Sequence, residues 1–456
     1  MNLSRSSAIT CIAISALFST PSLSDTNQKS IKGSDCFAPS SWFPVTETTE
    51  PSPQGNFNSN CAFHLWSWQA FLWLTEVEEN GLLRFVNFPT KEAVFNDDLS
   101  NSTGLNLKVR TAKSTGIETE TPLNEINQAG TGGVLVDHNG RAIYFSQHFN
   151  PQMTARIIAS DWNSPEELNS LDPNAVDHNS RLINIFREGD IELKAAWKIV
   201  APGEDTAGFF TQPATIQKLK NRNGKIITSN RTEKVTVALV GLHVVGWIEG
   251  HTEAVWASFE HVKNAPDYQV NQGYKSAVSN QNFTFYTANT TPQDCNQNSV
   301  DSLTLNEKTQ ILSPITQVCR QYPSGEVAGS TSDNVTAINT LNTSVWQQAH
   351  ATDMVQNYFE VGAIWQTSNS EFLDQNPLPL NSTLQTNILG SPLLSNATIE
   401  TFTQNVQSLN NCFSCHNTTQ FQPEDPRIKP MQASRLSVSH LIKEAYIANQ
   451  PKTTKD

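Results

Sequence analysis

Basic charge is scarce in this sequence. Thirty lysines and arginines stand against 43 aspartates and glutamates in 456 residues, a formal net charge of −13. That sign argues against nucleic acid or anionic lipid as a partner, and it is compatible with a basic redox partner. Long apolar runs are missing too. Apart from one stretch near the N-terminus, no run approaches the roughly 20 residues of a spanning helix, so membrane insertion is not expected. There is no phosphate-binding glycine loop, no G-x-S-x-G serine motif, no nucleic-acid signature and no internal repeat.

The exception among apolar runs is Ser7 to Phe18, preceded by Arg5 and followed by the small residues Ser22 and Ser24. Residues 1–24 therefore read as a cleaved signal peptide with the cut before Asp25, and the chain is expected in the periplasm. Cys11 lies inside the run and is not read as a lipidation site. The remaining six cysteines would meet an oxidising compartment. Four of them form two local pairs, for which Cys36–Cys61 and Cys295–Cys319 are the expected disulfides. Each would close a loop of about 25 residues, worth about 3 kcal/mol by chain entropy.

After a polar, Pro-rich arm, His64 to Thr75 has the spacing of a largely buried helix. Asn80-Gly81 then leads into an expected strand, Leu82 to Phe88. Asn139-Gly140 and Asn223-Gly224 are hairpin signals between strand-like runs. Ile191 to Val200, Val235 to Val245 and Ala254 to Val262 read as strands, the last two as antiparallel neighbours. Residues 285–345 are polar and read as a long excursion. Helical spacing is expected again over Trp346 to Trp365. A capped helix is expected from Asn396, with Glu400 in its first turn and Ile399, Phe402, Val406 and Leu409 on one face. A last amphipathic helix is expected over Leu436 to Ala448. The fold class is α+β: a large β-rich domain, sheet or sandwich, over 25–345 with an N-terminal arm, long loops and peripheral helices. A helical segment over 346–456 would pack on it.

The strongest chemical signal lies in that segment, at Cys412-Phe413-Ser414-Cys415-His416. C-x-x-C-H is the spacing of covalent haem attachment. Two thiols three residues apart on one turn reach the two vinyl groups on one porphyrin edge, and the following imidazole is held against the iron. From this chain's own cysteine and histidine frequencies, an accidental match arises in roughly one of four hundred such chains. A zinc site would want a second ligand pair of similar spacing, and none is present. One haem c is expected, bound through Cys412, Cys415 and His416. Only 40 residues follow His416, too few to cover a porphyrin alone, so the β-rich region should supply much of the pocket. Met431 and His440 are the candidate distal iron ligands; an open position there would instead permit catalysis. His243, Glu260 and His261 lie on adjacent expected strands as a candidate acid–base group. His64 reads as a cap or core contact.

Several short pieces fall in a specific order: Ser67-Trp68-Gln69-Ala70-Phe71, Gly241-Leu242-His243-Val244, Trp256-Ala257-Ser258-Phe259-Glu260-His261-Val262-Lys263-Asn264, Asn357-Tyr358 with Gly362 and Trp365, and Asn396-Ala397-Thr398-Ile399-Glu400-Thr401-Phe402 before the haem motif. With them the chain resembles a largely uncharacterised family of bacterial exported single-haem cytochrome c proteins. Relatives follow the Gly-Leu-His strand with a Lys-Thr pair where Gly246-Trp247-Ile248 stands here, so no role of that lysine carries over. The resemblance implies haem binding and export and supplies no substrate. The expected function is periplasmic electron transfer with a redox partner protein. The alternative is a haem enzyme, peroxidase- or oxygenase-like, with an open distal site in the β-rich domain.

Overall fold

The computed structural model describes residues 32–95, 105–107, 133–271, 273–367, 388–393, 395–404 and 411–450. The expected signal segment, Cys11, Val406 and Leu409 lie outside these residues. The architecture is α+β. Its strands are β1 Leu105–Leu107, β2 Tyr144–Phe149, β3 Ile191–Ile199, β4 Thr211–Arg222, β5 Lys225–Ile248, β6 His251–His261, β7 Thr304–Asn306, β8 Ile311–Ser313, β9 Tyr358–Gln366 and β10 Ile388–Gly390. Around them stand helices α1 Asn60–Leu74, α2 Lys91–Phe95, α3 Pro151–Ala159, α4 Pro165–Ser170, α5 Asp333–Gln348, α6 Cys412–Cys415 and α7 His440–Ala448.

β5, 24 residues long, organises the main sheet. Along one edge it pairs with β3. Along the other it pairs first with β4 and then, from Gly241, with β6. β2 lies outside β3, β9 outside β6 and β10 outside β9, all antiparallel. β1 adds to β4 in parallel, and β7 and β8 form a separate pair. Asn223 and Gly224 join β4 to β5 with φ of 50° and 77°, the two positive values of a type I′ turn. At Asn139-Gly140 the expected turn forms differently. Gly140 N–H donates to Asp137 O, only Gly140 of the two has positive φ, and the Asp137 carboxylate accepts the N–H groups of Asn139 and Arg141.

Strand alternation divides the sheet into two unlike faces. Ile191, Leu193, Ala195 and Trp197 on β3, Leu242 and Val244 on β5, and Val255, Ala257 and Phe259 on β6 share one apolar core with α1 and α5. Ser59 caps α1 by accepting the Ala62 N–H. Phe71 of α1 stacks on Phe259 at 4.4 Å, and Trp68 Nε1 donates to Asn342 of α5. The tip of Trp66 lies 2.1 Å from where a Cβ on Gly246 would stand, so this close approach of helix to sheet requires glycine. The Cys36–Cys61 disulfide forms as expected and ties the N-terminal arm to α1. The other face carries Glu192, Lys194, His243 and Trp256, and receives the C-terminal segment.

Four local readings are corrected. Leu82 to Phe88 is not a strand: Arg84–Asn87 is a 3₁₀ turn, which the Arg84 guanidinium pins by bonding Glu76, Glu78 and Trp73 O. The helix expected over Trp346 to Trp365 ends at Gln348, and Tyr358–Gln366 is β9. Nearly all of β9 is buried on both sides, so its apolar run lacks the alternation that distinguishes a strand. β9 also puts part of 346–456 inside the main sheet, so that stretch is not a purely helical unit packed upon it. Finally, Cys295 and Cys319 are brought together but stand as two buried free thiols, with Cys319 hydrogen-bonded to Cys295. The fold sets them side by side through Asn296, which bonds Cys319 N and O; closure is then a matter of redox state.

Candidate functional site

The C-x-x-C-H residues sit on α6, a single turn whose start is fixed by a reciprocal cap. Asn411 Oδ1 accepts the Ser414 N–H at 3.1 Å, and Ser414 Oγ accepts the Asn411 N–H at 3.3 Å. Phe413 is fully buried and anchors the turn in an apolar cluster with Leu436, Leu441 and Tyr446. That leaves Cys412 half-buried and Cys415 exposed. His416 leaves the turn with its ring against Trp256 of β6, centroids 4.3 Å apart. Its Nδ1–H donates to Val438 O at 2.9 Å. This fixes the tautomer with the lone pair on Nε2, which makes no hydrogen bond among the described residues.

Cys412, Cys415 and His416 line one cavity of about 370 Å³. Its other walls come from the sheet (Glu192 and Lys194 on β3, His243 and Val245 on β5, Trp256 on β6), from Ile399, Glu400 and Thr403, and from His440 and Leu441 on α7. The β-rich region therefore supplies much of the pocket beside the motif. The residues present suit a covalently attached haem. Two thiols stand one turn apart at the cavity rim and an oriented imidazole lies beside them; the apolar walls of Val245, Trp256, Ile399 and Leu441 alternate with the polar groups of Glu192, Lys194, His243 and Glu400, among them a buried nitrogen without a partner. That nitrogen is His243 Nε2, buried and without a hydrogen-bond partner among the described residues. Another cavity, of about 360 Å³ beside the β4–β5 ribbon with Arg141, Glu233 and Lys234, contains no cysteine or histidine.

The titratable groups of this cavity are strongly perturbed, chiefly by burial. Burial pushes the Glu400 carboxyl up to about 7, although Ser395 and Asn396 N–H groups each donate to it at 2.7 Å. Glu192 is pushed up to about 7 and Lys194 down to about 8, burial again leading. His243 is held down to about 3 by burial and then by the Lys194 charge. Its imidazole is therefore neutral near pH 7, and the 3.5 Å approach of Nε2 to Glu400 Oε1 is not an ion pair. Burial, with His440 next, pushes His416 well below its usual range.

Of the two candidate distal ligands, Met431 is fully buried in the apolar cluster around Phe413 and does not line the cavity. His440 does line it, but lies face to face with His416 at 3.7 Å and donates Nε2–H to Cys415 O at 3.0 Å. The proposed acid–base group comes apart. Glu260 binds Arg320 Nε at 3.0 Å, Asn264 at 3.0 Å and Ala397 N at 3.3 Å. His261 accepts the Lys263 N–H on Nδ1 and donates to Gly208 O. Only His243 of the three reaches the cavity. His64 is a core contact, with Nδ1 2.9 Å from Glu360 and Nε2 2.8 Å from Asn334 Oδ1. Lys194 and Glu192 were missed, although Glu192-Leu193-Lys194 in an otherwise apolar strand marks a polar face at period two. Glu400 was legible only as an acid in the first turn of the helix expected from Asn396; the structure forms turns there instead of that helix, and Glu400 accepts the N–H groups of Ser395 and Asn396.

Comparison with protein-family models, curated proteins and solved structures finds no match for this chain.

Proposed function

We propose that this chain is an exported single-haem c-type cytochrome of the family its motifs resemble, carrying haem c on Cys412 and Cys415 with His416 as proximal ligand. Its role is electron transfer with a redox partner protein in the periplasm. One observation carries this reading: both thiols and the oriented His416 imidazole line a single cavity roofed by the main sheet. Bound there, the haem would supply a one-electron ferric/ferrous couple.

The protein's own contributions follow from its geometry. Val438 O takes the Nδ1–H of His416 and so raises the basicity of Nε2. Val245, Leu441 and Ile399 give the cavity apolar wall. Trp256, in contact with His416, extends the aromatic surface into the sheet. Among the described residues no helix is long and apolar enough to cross a membrane. The net charge of −13 favours a basic partner. Produced with cytochrome maturation machinery, the wild type should retain haem through denaturing electrophoresis, and the Cys412→Ala/Cys415→Ala double variant should retain none. A wild type that loses all its haem under those conditions overturns the reading.

A second reading, a haem enzyme with an open distal site, draws support from Lys194, His243 and Glu400 on the cavity wall. Prompt binding of carbon monoxide by the reduced protein would favour it over electron transfer.

A further inference from the structure

A haem held by His416 has a second axial position, and neither sequence candidate is disposed to fill it. Met431 packs in the apolar cluster around Phe413 and is not among the residues that line the cavity. His440 lies flat on His416, with centroids 3.7 Å and planes 19° apart, and spends its Nε2–H on Cys415 O. Two axial imidazoles meet an iron from opposite faces, with their ring edges toward the metal. A ring stacked on the proximal ligand stands beside it instead.

His243 is placed differently. It lies in the middle of β5, paired in register with Lys194 of β3 and Ser258 of β6, so its backbone is held on both sides. Alternation turns it to the cavity face, where it shares the wall with Cys412, Cys415 and His416. Among the described residues its Nε2 is buried without a hydrogen bond, and Glu400 Oε1 stands 3.5 Å away. The other buried imidazoles of the sheet and its helices are engaged. His64 bonds Glu360 and Asn334, His148 bonds Phe88 O and Ser146, His251 bonds Glu253, and His261 bonds Gly208 O and Lys263 N. A buried imidazole nitrogen left without a partner on the wall of a metal-cofactor cavity is explained if the metal is its partner.

Building on the haem assignment above, we propose that His243 is the distal axial ligand of the haem iron. The site is then a closed six-coordinate one, suited to electron transfer rather than to binding a small substrate.

The test uses the full exported chain carrying its covalent haem. The wild type should give a low-spin ferric resonance, a near-infrared magnetic circular dichroism band of two nitrogen ligands, and no carbon monoxide binding when reduced. His243→Ala should keep its covalent haem, become high-spin and bind carbon monoxide, and added imidazole should restore the low-spin spectrum. His440→Ala and Met431→Leu should stay low-spin. If His243→Ala does not accumulate, His243→Met should move the near-infrared band to the His/Met position. A wild type that is high-spin, or a His243→Ala protein that stays low-spin without added ligand, overturns the assignment while leaving the haem reading intact. A wild type with no covalent haem overturns both, and its bare-polypeptide mass tells the two failures apart.

Discussion

On β5, Leu242 and Val244 point into an apolar core under α1 and α5, while His243 and Val245, one residue out of step, line the cavity beside the haem motif. The same strands build both faces, yet the first is filled with rings and aliphatic chains and the second holds Glu192, Lys194 and His243. The helix side obtains its stability from removing apolar surface from water. The cavity side accepts buried ionisable groups, each of which opposes folding unless something binds it. A protein with two dry faces would be more stable and could hold no cofactor against its sheet.

Breaking the dry face should have the largest effect. Phe71 is fully buried and stacked on Phe259, so Phe71→Ala should cost about 4 kcal/mol in denaturant unfolding. The molecules that remain folded should keep their haem spectrum.

Next comes the buried His64–Glu360 pair on that face. Burial pulls the His64 imidazole down, but the Glu360 charge and the hydrogen bonds to Glu360 and Asn334 outweigh it and hold it above its ordinary 6.5. Glu360 is itself raised by burial, so both groups hold a proton more tightly folded than unfolded. Asn334 Nδ2 donates to Glu326 and Ser391, which turns its Oδ1 toward His64, so both ring nitrogens lie within hydrogen-bond distance of an oxygen. Removing the ring with His64→Ala leaves a buried carboxylate uncompensated and should cost about 3 kcal/mol. Because the folded value is raised, this stability is fully present below pH 6.5 and is lost as pH rises through the folded value. The gap between wild type and His64→Ala should therefore narrow toward alkaline pH; a gap that widens there would show that the imidazole is neutral.

Two glycines of β5 sharpen the contrast between the faces. A Cβ on Gly246 would meet the Trp66 ring at 2.1 Å, and one on Gly241 would meet Thr398 Oγ1 at 2.1 Å. Each alanine substitution should cost about 1–3 kcal/mol through overpacking. Gly246→Ala should lower stability alone. Gly241→Ala presses on the turn that carries Glu400 and should also alter the haem spectrum. Identical spectra for the two variants would remove the distinction drawn between the faces. The smallest effect belongs to neither face: Gly224→Ala, at φ 77° in the β4–β5 turn, should cost about 1 kcal/mol and leave the haem untouched.

Much of this was legible in the sequence, for identifiable reasons. α1, β3, β5 and β6 showed through their periodicity, Asn223-Gly224 through turn chemistry, and Cys36–Cys61 through proximity. β9 did not, because a strand buried on both sides has no alternation to read. In the site, C-x-x-C-H is local and was visible at once. The cavity is not local. Lys194, His243 and Glu400 come from separate segments and meet only through sheet register and the Asn396 turn. Met431 and His440 were plausible by distance along the chain, which says nothing about the side of the motif on which a side chain ends.

The central claim is tested most directly by intact-mass spectrometry of the mature protein after co-expression with cytochrome maturation machinery, followed by peptide mapping. A single haem should add its mass to the peptide containing Cys412 and Cys415 and to no other peptide. A colourless protein whose mass equals that of the polypeptide alone would contradict the account.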